Sequence, residues 1–256
     1  MTKEIYYNAP CGLYKGFLND ETSRMRALQN VFDFVYFTEY QKHTDIQDEK
    51  ERFEKVRATL DFENGYSDNE ERFCRGQKLA SLHIKEPYFS ISRKAYVDFY
   101  NNYKSDEECA MLLAYLALSS ICGNKQKWAK TNKAMWLSRM DGKSRPEYKK
   151  VKGKDELVLS DSLAKYRTNY GIRRLRALLF EYYHVAFYSK SVHGFCFSTT
   201  LTLSDLILMV KHEPSDTKRI DDKLKTATKK AEKVVEDVLK NTQNADSEDD
   251  TNELPF

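Results

Sequence analysis

The sequence predicts a mainly α-helical chain in four stretches: a helical N-terminal region over residues 1–104, three helices closed by a β-hairpin over 105–213, a charged helix over 214–240 and a disordered acidic tail over 241–256. Three observations carry this reading. Between Tyr170 and Thr200 an amphipathic basic helix runs directly into two short strand-forming segments. Cys109 to Cys122 is almost wholly apolar, behind a Ser105/Glu108 capping box. The charge is segregated: Met1–Ser105 holds 16 Lys and Arg against 17 Asp and Glu, and Gly123–Lys190 holds 17 against 6. A neutral front and a basic middle place any polyanion-binding surface in the middle.

Composition bounds the class. Mean hydropathy is -0.71, and no run approaches the roughly 18 apolar residues of a membrane span. With no signal-peptide pattern at the start, a soluble cytoplasmic chain is expected. The cysteines Cys11, Cys74, Cys109, Cys122 and Cys196 are odd in number and form no CxxC pair, which reads as reduced thiols. The histidines are equally scattered, so neither zinc nor any other cofactor is expected. A Walker-A loop, GxGxxG, HExxH and a paired-His motif are all lacking, and none of the tyrosines has a base or metal constellation beside it; the expectation is a non-enzyme.

In chain order, residues 1–21 mix Pro10, Gly12 and Gly16 with aromatics and read as an ordered but irregular entry. Met25, Leu28, Val31, Phe32, Val35 and Tyr36 recur at helical spacing over Thr22–Lys42, with Thr22 or Ser23 as N-cap and the aromatic stripe as core. Asp48–Leu60 is a charged helix with Phe53, Val56 and Leu60 inward; another helix spans Asn69–Leu82, and Ser92 caps a further one through Tyr100. The Ser105-capped helix is buried on most sides and ends at Gly123, where a left-handed C-cap belongs. Thr131 caps a short helix followed by Gly142, and Lys143–Lys154 is a polar, basic connection. Ser160 starts a helical turn. From Tyr170, Ile172, Leu175, Leu178, Leu179 and Tyr182 form one stripe, with Arg173, Arg174 and Arg176 mostly off it. Val185–Tyr188 and Phe195–Phe197 are strand formers around the turn residues Lys190, Ser191, His193 and Gly194. Ser204–Glu213 is helical, and Asp216–Lys240 carries a thin stripe from Ile220 to Val238 that is either a homodimer seam or a helix lying on the domain surface.

Helix, short capped helix, basic helix and hairpin, from Asp106 to about Thr200, is the order of a winged helix-turn-helix. It resembles the winged-helix domains of phage and plasmid replication initiators and of small bacterial regulators. The resemblance implies a recognition helix in the DNA major groove and a wing on the flanking backbone. The candidate contacts are Lys130, Lys133, Arg139, Arg167, Asn169, Arg173, Arg174 and Arg176, with Lys190 and His193 at the wing tip. The competing reading of the arginine run is an ordinary solvated helix face.

Asn241–Phe256, NTQNADSEDDTNELPF, is acidic and closes on Leu254, Pro255 and Phe256. It resembles the C-terminal tip of bacterial single-stranded-DNA-binding proteins. In that family the tip docks on replication and repair enzymes, which implies Phe256 and Pro255 as anchors, Leu254 as a flanking contact, and Asp249, Asp250 and Glu253 as electrostatic partners. The alternative is an acidic solubilising tail.

The expectation is therefore a DNA-binding protein of phage or mobile-element replication or repair, with single- and double-stranded DNA both open, that recruits replication or repair proteins through its tail. Two alternatives stand: a winged-helix transcription regulator, and an inhibitor that competes for the partners of the host single-stranded-DNA-binding protein.

Overall fold

The computed structural model describes residues 4–62, 68–123, 126–191 and 194–211. It is mainly helical with small sheets, and two compact units divide it, Met1–Leu206 and Ile207–Phe256. The charged helix over 214–240 and the acidic tail lie outside the described residues. Among those residues no helix is long and apolar enough to cross a membrane.

In the first unit the entry segment is more regular than its Pro and Gly content suggests. β1 (Tyr6–Pro10) pairs antiparallel with β2 (Tyr88–Ser92), Tyr7 opposite Ile91 and Pro10 opposite Tyr88. Pro10 is tolerated because it ends a strand of a two-stranded sheet. α1 (Glu21–Tyr40), α2 (Glu49–Leu60) and α3 (Asn69–Leu82) follow the expected spans. All three are capped by aspartate: Asp20, Asp48 and Asp68 each accept the backbone N–H three residues on. The cap of α1 is thus Asp20 rather than Thr22 or Ser23, and Ser23 instead donates its amide and hydroxyl to the Asp20 carboxylate at 2.7 and 3.0 Å.

The aromatic stripe of α1 is core. Phe32 and Tyr36 are fully buried, and Tyr7 and Tyr96 anchor the strand pair and the next helix by donating to the carbonyls of Leu60 and Leu28, both at 2.8 Å. α1 and α3 approach so closely at Gly76 that a Cβ there would stand 2.2 Å from the Asp33 carbonyl oxygen. α4 (Arg93–Asn101) follows β2 directly, its amide Ala95 held by the Ser92 hydroxyl.

α5 (Asp106–Cys122) has both halves of its capping box in place and ends at Gly123, whose φ of 67° only glycine adopts readily. Leu112, Leu113, Leu116 and Leu118 are buried against strand and helix neighbours alike. β3 (Ala129–Thr131), a strand not expected from the sequence, precedes α6 (Lys133–Met140). Asn132 rather than Thr131 caps α6, because Thr131 is used in the strand and the Asn132 oxygen is the one that reaches the Met135 amide, at 2.9 Å. The stretch read as a polar connection holds a second unforeseen hairpin, β4 (Tyr148–Val151) with β5 (Lys154–Leu157). Its two-residue turn has Lys152 at φ 49° and Gly153 at φ 76°, the positive pair that a type I′ hairpin requires. A 3-10 turn (Asp161–Arg167) then leads into α7 (Asn169–Tyr183), capped by Thr168.

β6 (Ala186–Ser191) and β7 (Gly194–Ser198) form the expected hairpin, and β3 joins them in a sheet ordered β3-β7-β6. Trp136 of α6, fully buried, packs between this sheet and α5: its ring lies 5.7 Å from Phe195 and its N–H donates to the Ala114 carbonyl at 3.1 Å. One hydrophobic cluster runs from Tyr7 to Phe197, so residues before and after Ser105 share a core. α8 (Leu203–Lys211) starts at the Thr202 cap and carries the chain from the first unit into the second.

Candidate nucleic-acid interface

The candidate residues are positioned by α7, β3, α6 and the two hairpins. α7 is a helix because Ile172, Leu175 and Leu179 bury one face while its Thr168 cap holds the Gly171 amide at 2.9 Å. Its opposite face is open: Asn169, Tyr170, Arg173, Arg174, Ala177 and Phe180 are exposed at spacings of three and four.

The arginine run divides by where each side chain points. Arg173 is exposed. Arg174 is exposed but bound to the Glu107 carboxylate at the start of α5, 2.7 Å away, which raises its affinity for its proton. Arg176 is turned inward: its guanidinium lies 3.9 Å from the centre of the Phe195 ring and 5.6 Å from that of Phe187, and burial lowers its pKa. It clamps the hairpin to α7 by stacking on two aromatic faces.

Arg139 departs furthest from a surface contact. It is buried, with its guanidinium donating to the Ser120 hydroxyl at 3.0 Å and the Ser144 carbonyl at 3.2 Å. The reason is its place: Arg139 lies one turn beyond Trp136, in the run 136–140 that is buried on every side of the helix.

Lys130 is exposed on β3, opposite Cys196. Lys133 and Arg167 act as local struts: Lys133 Nζ donates to the Arg167 carbonyl, and the Arg167 guanidinium donates to the Leu157 carbonyl. They tie α6, the β4–β5 hairpin and the start of α7 together. Lys190 lies in β6, while His193 and the tail residues Asp249, Asp250, Glu253, Leu254, Pro255 and Phe256 lie outside the described residues.

Two sets of surface groups escape a reading by residue type. Tyr170, Phe180 and Tyr182 are 74%, 55% and 61% exposed, although Tyr182 falls on the apparent apolar stripe. Tyr183, its neighbour, is the inward residue and stacks on Tyr115 with ring centres 4.8 Å apart. The signal for Phe180 was present, since it stands five residues from Leu175, on the flank away from the buried stripe. The second set is Lys149, Lys150, Lys152 and Lys154 on β4–β5, all exposed. Lys149 and Lys150 face Glu156 and Asp155 across the ladder, so half of that charge is met locally, and Lys152 projects from the turn.

Burial pushes the Cys11 and Cys109 thiols up to about 11, which holds them protonated at neutral pH. Among the described residues no three His, Cys, Asp or Glu side chains converge on a metal position. What the surface offers is an arginine and two aromatics on one helical face, flanked by lysines on strands and hairpin. No protein-family model, curated protein or solved structure matches the chain.

Proposed function

We propose that residues 105–200 act as a winged helix-turn-helix and that the chain is a non-enzymatic DNA-binding protein of phage or mobile-element replication or repair. The observation that carries this reading is topological. A strand between the first two helices, β3, pairs with the second strand of the hairpin that follows the third helix, in the order β3-β7-β6. That pairing fixes α7 directly before the hairpin and leaves its outer face, Asn169, Tyr170 and Arg173, unburied. Recognition helices of this arrangement enter the major groove by such a face. The exposed aromatics suit stacking on unpaired bases as well.

In this reading the contacts are Lys130, Asn169, Tyr170, Arg173 and Lys152; Arg139 is set aside because it is enclosed beside α5, and Arg176 because it is stacked on Phe195. The acidic segment ending in Leu254, Pro255 and Phe256 recruits replication or repair proteins, by its resemblance to the tip of single-stranded-DNA-binding proteins.

Fluorescence anisotropy with matched single- and double-stranded oligonucleotides over a salt series tests the proposal, using the full chain and a version ending at Asn241. Affinity is expected to fall log-linearly with salt as phosphate contacts are screened. The shortened version should bind more tightly, because the tail no longer competes. No binding of either form at low salt removes the DNA reading.

One observation favours a second reading. With Arg174 held by Glu107, the outer face of α7 is as aromatic as it is cationic, which suits a protein partner. An interaction or inhibitor role would survive R173E and fail on F180S.

A further inference from the structure

A cleft of about 520 Å³ lies along α6, between the last turn of α5 and the start of β7. Its polar lining is Ser120, Lys130, Thr131, Asn132 and Arg139, and no carboxylate lines it. Arg139 is 7% exposed, yet its two hydrogen bonds go to a hydroxyl and a carbonyl, and its Nε has no partner among the described residues.

The charge on that guanidinium is therefore unmet where it is costly to leave it so. Arg24, equally buried, has Asp106 at 3.6 Å, and Arg176 has two ring faces. Arg139 has neither. Glu86, which like Arg139 acts on Cys11, is already engaged by the Gly12 amide at 2.8 Å and by His83 at 3.0 Å. Thr131 lines the same cleft with its hydroxyl buried and unpartnered among the described residues. Lys130 adds a second, solvent-exposed cation, and the start of α6, an eight-residue helix, adds its partial positive charge.

We propose that this cleft binds a phosphate group, with Arg139 as its buried cation and Lys130 and Thr131 completing the donor set. A carboxylate has two oxygens to offer; a guanidinium from α6 beside an ammonium and a hydroxyl from β3 suit a tetrahedral oxyanion with more acceptors. The site shares Lys130 with the DNA reading but does not rest on it, since it is defined by the cleft and by Arg139 and not by the face of α7.

The test is thermal unfolding of the full chain in inorganic phosphate against chloride at matched ionic strength, for wild type, K130M and R139M. Phosphate at ten times its Kd should raise the wild-type Tm by about 3 to 5 °C. Both variants should bind phosphate about ten- to a hundred-fold more weakly and lose most of that shift. Any general salting effect of phosphate is common to all three proteins and cancels in the comparison.

Equal shifts in all three proteins, or none in wild type, overturn the site and leave Arg139 a structural residue. Should R139M fail to fold, an unchanged shift in K130M overturns it alone. The source of the phosphate is read from two further ligands, a dinucleotide with and without a 5′-phosphate. Stabilisation by the phosphorylated form alone assigns a terminal phosphate, stabilisation by both assigns the backbone diester, and response to inorganic phosphate only assigns the free ion.

Discussion

Arg173 and Arg176 differ by three positions and carry the same charge, so neutralising each as methionine separates a surface role from a core one. Arg173 is exposed on the outer face of α7. Losing one phosphate contact there should weaken DNA binding about ten-fold and make the slope of log K against log salt shallower by about one unit, with Tm nearly unchanged. Arg176 sits 3.9 Å over Phe195 and 5.6 Å from Phe187. A desolvated cation–π contact contributes about 2 kcal/mol, and methionine recovers part of it by packing on the same rings without a charge to bury. The net stability change should not exceed about 2 kcal/mol, or about 4 to 8 °C in Tm, while the salt slope stays at the wild-type value. Parallel anisotropy titrations and thermal melts of the two variants read both quantities. If R176M flattens the salt slope as much as R173M does, the guanidinium reaches phosphate and the inward assignment is wrong; if R173M leaves the slope intact, α7 does not present the interface.

The fold makes its own predictions. W136A removes a fully buried indole shared by α5 and the three-stranded sheet, and should cost about 3 to 5 kcal/mol in urea unfolding. G76A puts a Cβ 2.2 Å from the Asp33 carbonyl and should cost about 1 to 3 kcal/mol by forcing α1 and α3 apart; a neutral result would mean the two helices slide freely. Burial raises the Asp33 carboxyl pKa despite Arg75 at 2.9 Å, so its contribution is present in full below its unfolded value of about 4 and is lost as pH rises through the folded pKa. The stability of wild type relative to D33N should therefore decline from pH 4 toward neutrality, and a flat difference would mean that Arg75 cancels the burial. K152N replaces a residue at φ 49° with one that tolerates it, and should raise Tm slightly, by about 1 to 3 °C.

Elements defined by long periodic runs and caps were legible in the sequence. α2 and α3 follow their apolar spacing, and the Ser105/Glu108 box and Gly123 bound α5, although Gly123 takes φ 67° and ψ 172° in place of the left-handed helical cap expected of it. The strands missed are those whose stability is not local. β1 and β2 are five residues each and lie roughly eighty residues apart, so each exists only because the other covers its edge. β3 is three residues long and depends on β7 in the same way. The β4–β5 hairpin was hidden by its turn, since Lys152-Gly153 lacks the Asn-Gly or Asp-Gly signature although it reaches the same positive-φ geometry. Caps slipped by two or three residues at α1 and by one at α6, where a neighbouring Asp or Asn competed with the chosen hydroxyl.

The candidate site shows why counting charge is weaker than placing it. The excess of 17 Lys and Arg over 6 Asp and Glu in Gly123–Lys190 is a property of the chain, whereas a duplex laid against the surface meets only the cations that reach solvent without a partner. Arg139 is buried beside α5, Arg176 is half-buried on two ring faces, Arg174 is met by Glu107, and Lys149 and Lys150 are opposed across their ladder. The burial of Arg139 follows from its place one turn beyond Trp136, in a half of α6 that is enclosed all round, whereas the stacking of Arg176 depends on the rings of the β6–β7 hairpin. The Arg174–Glu107 pair joins elements distant in sequence, which no local pattern encodes, while the pairing of Lys149 and Lys150 is local but follows from the β4–β5 hairpin that the sequence did not announce. On the proposed reading the field that DNA meets is narrower than the composition implies, centred on Lys130, Arg173 and Lys152, with Tyr170 and Phe180 supplying contact area that charge alone does not.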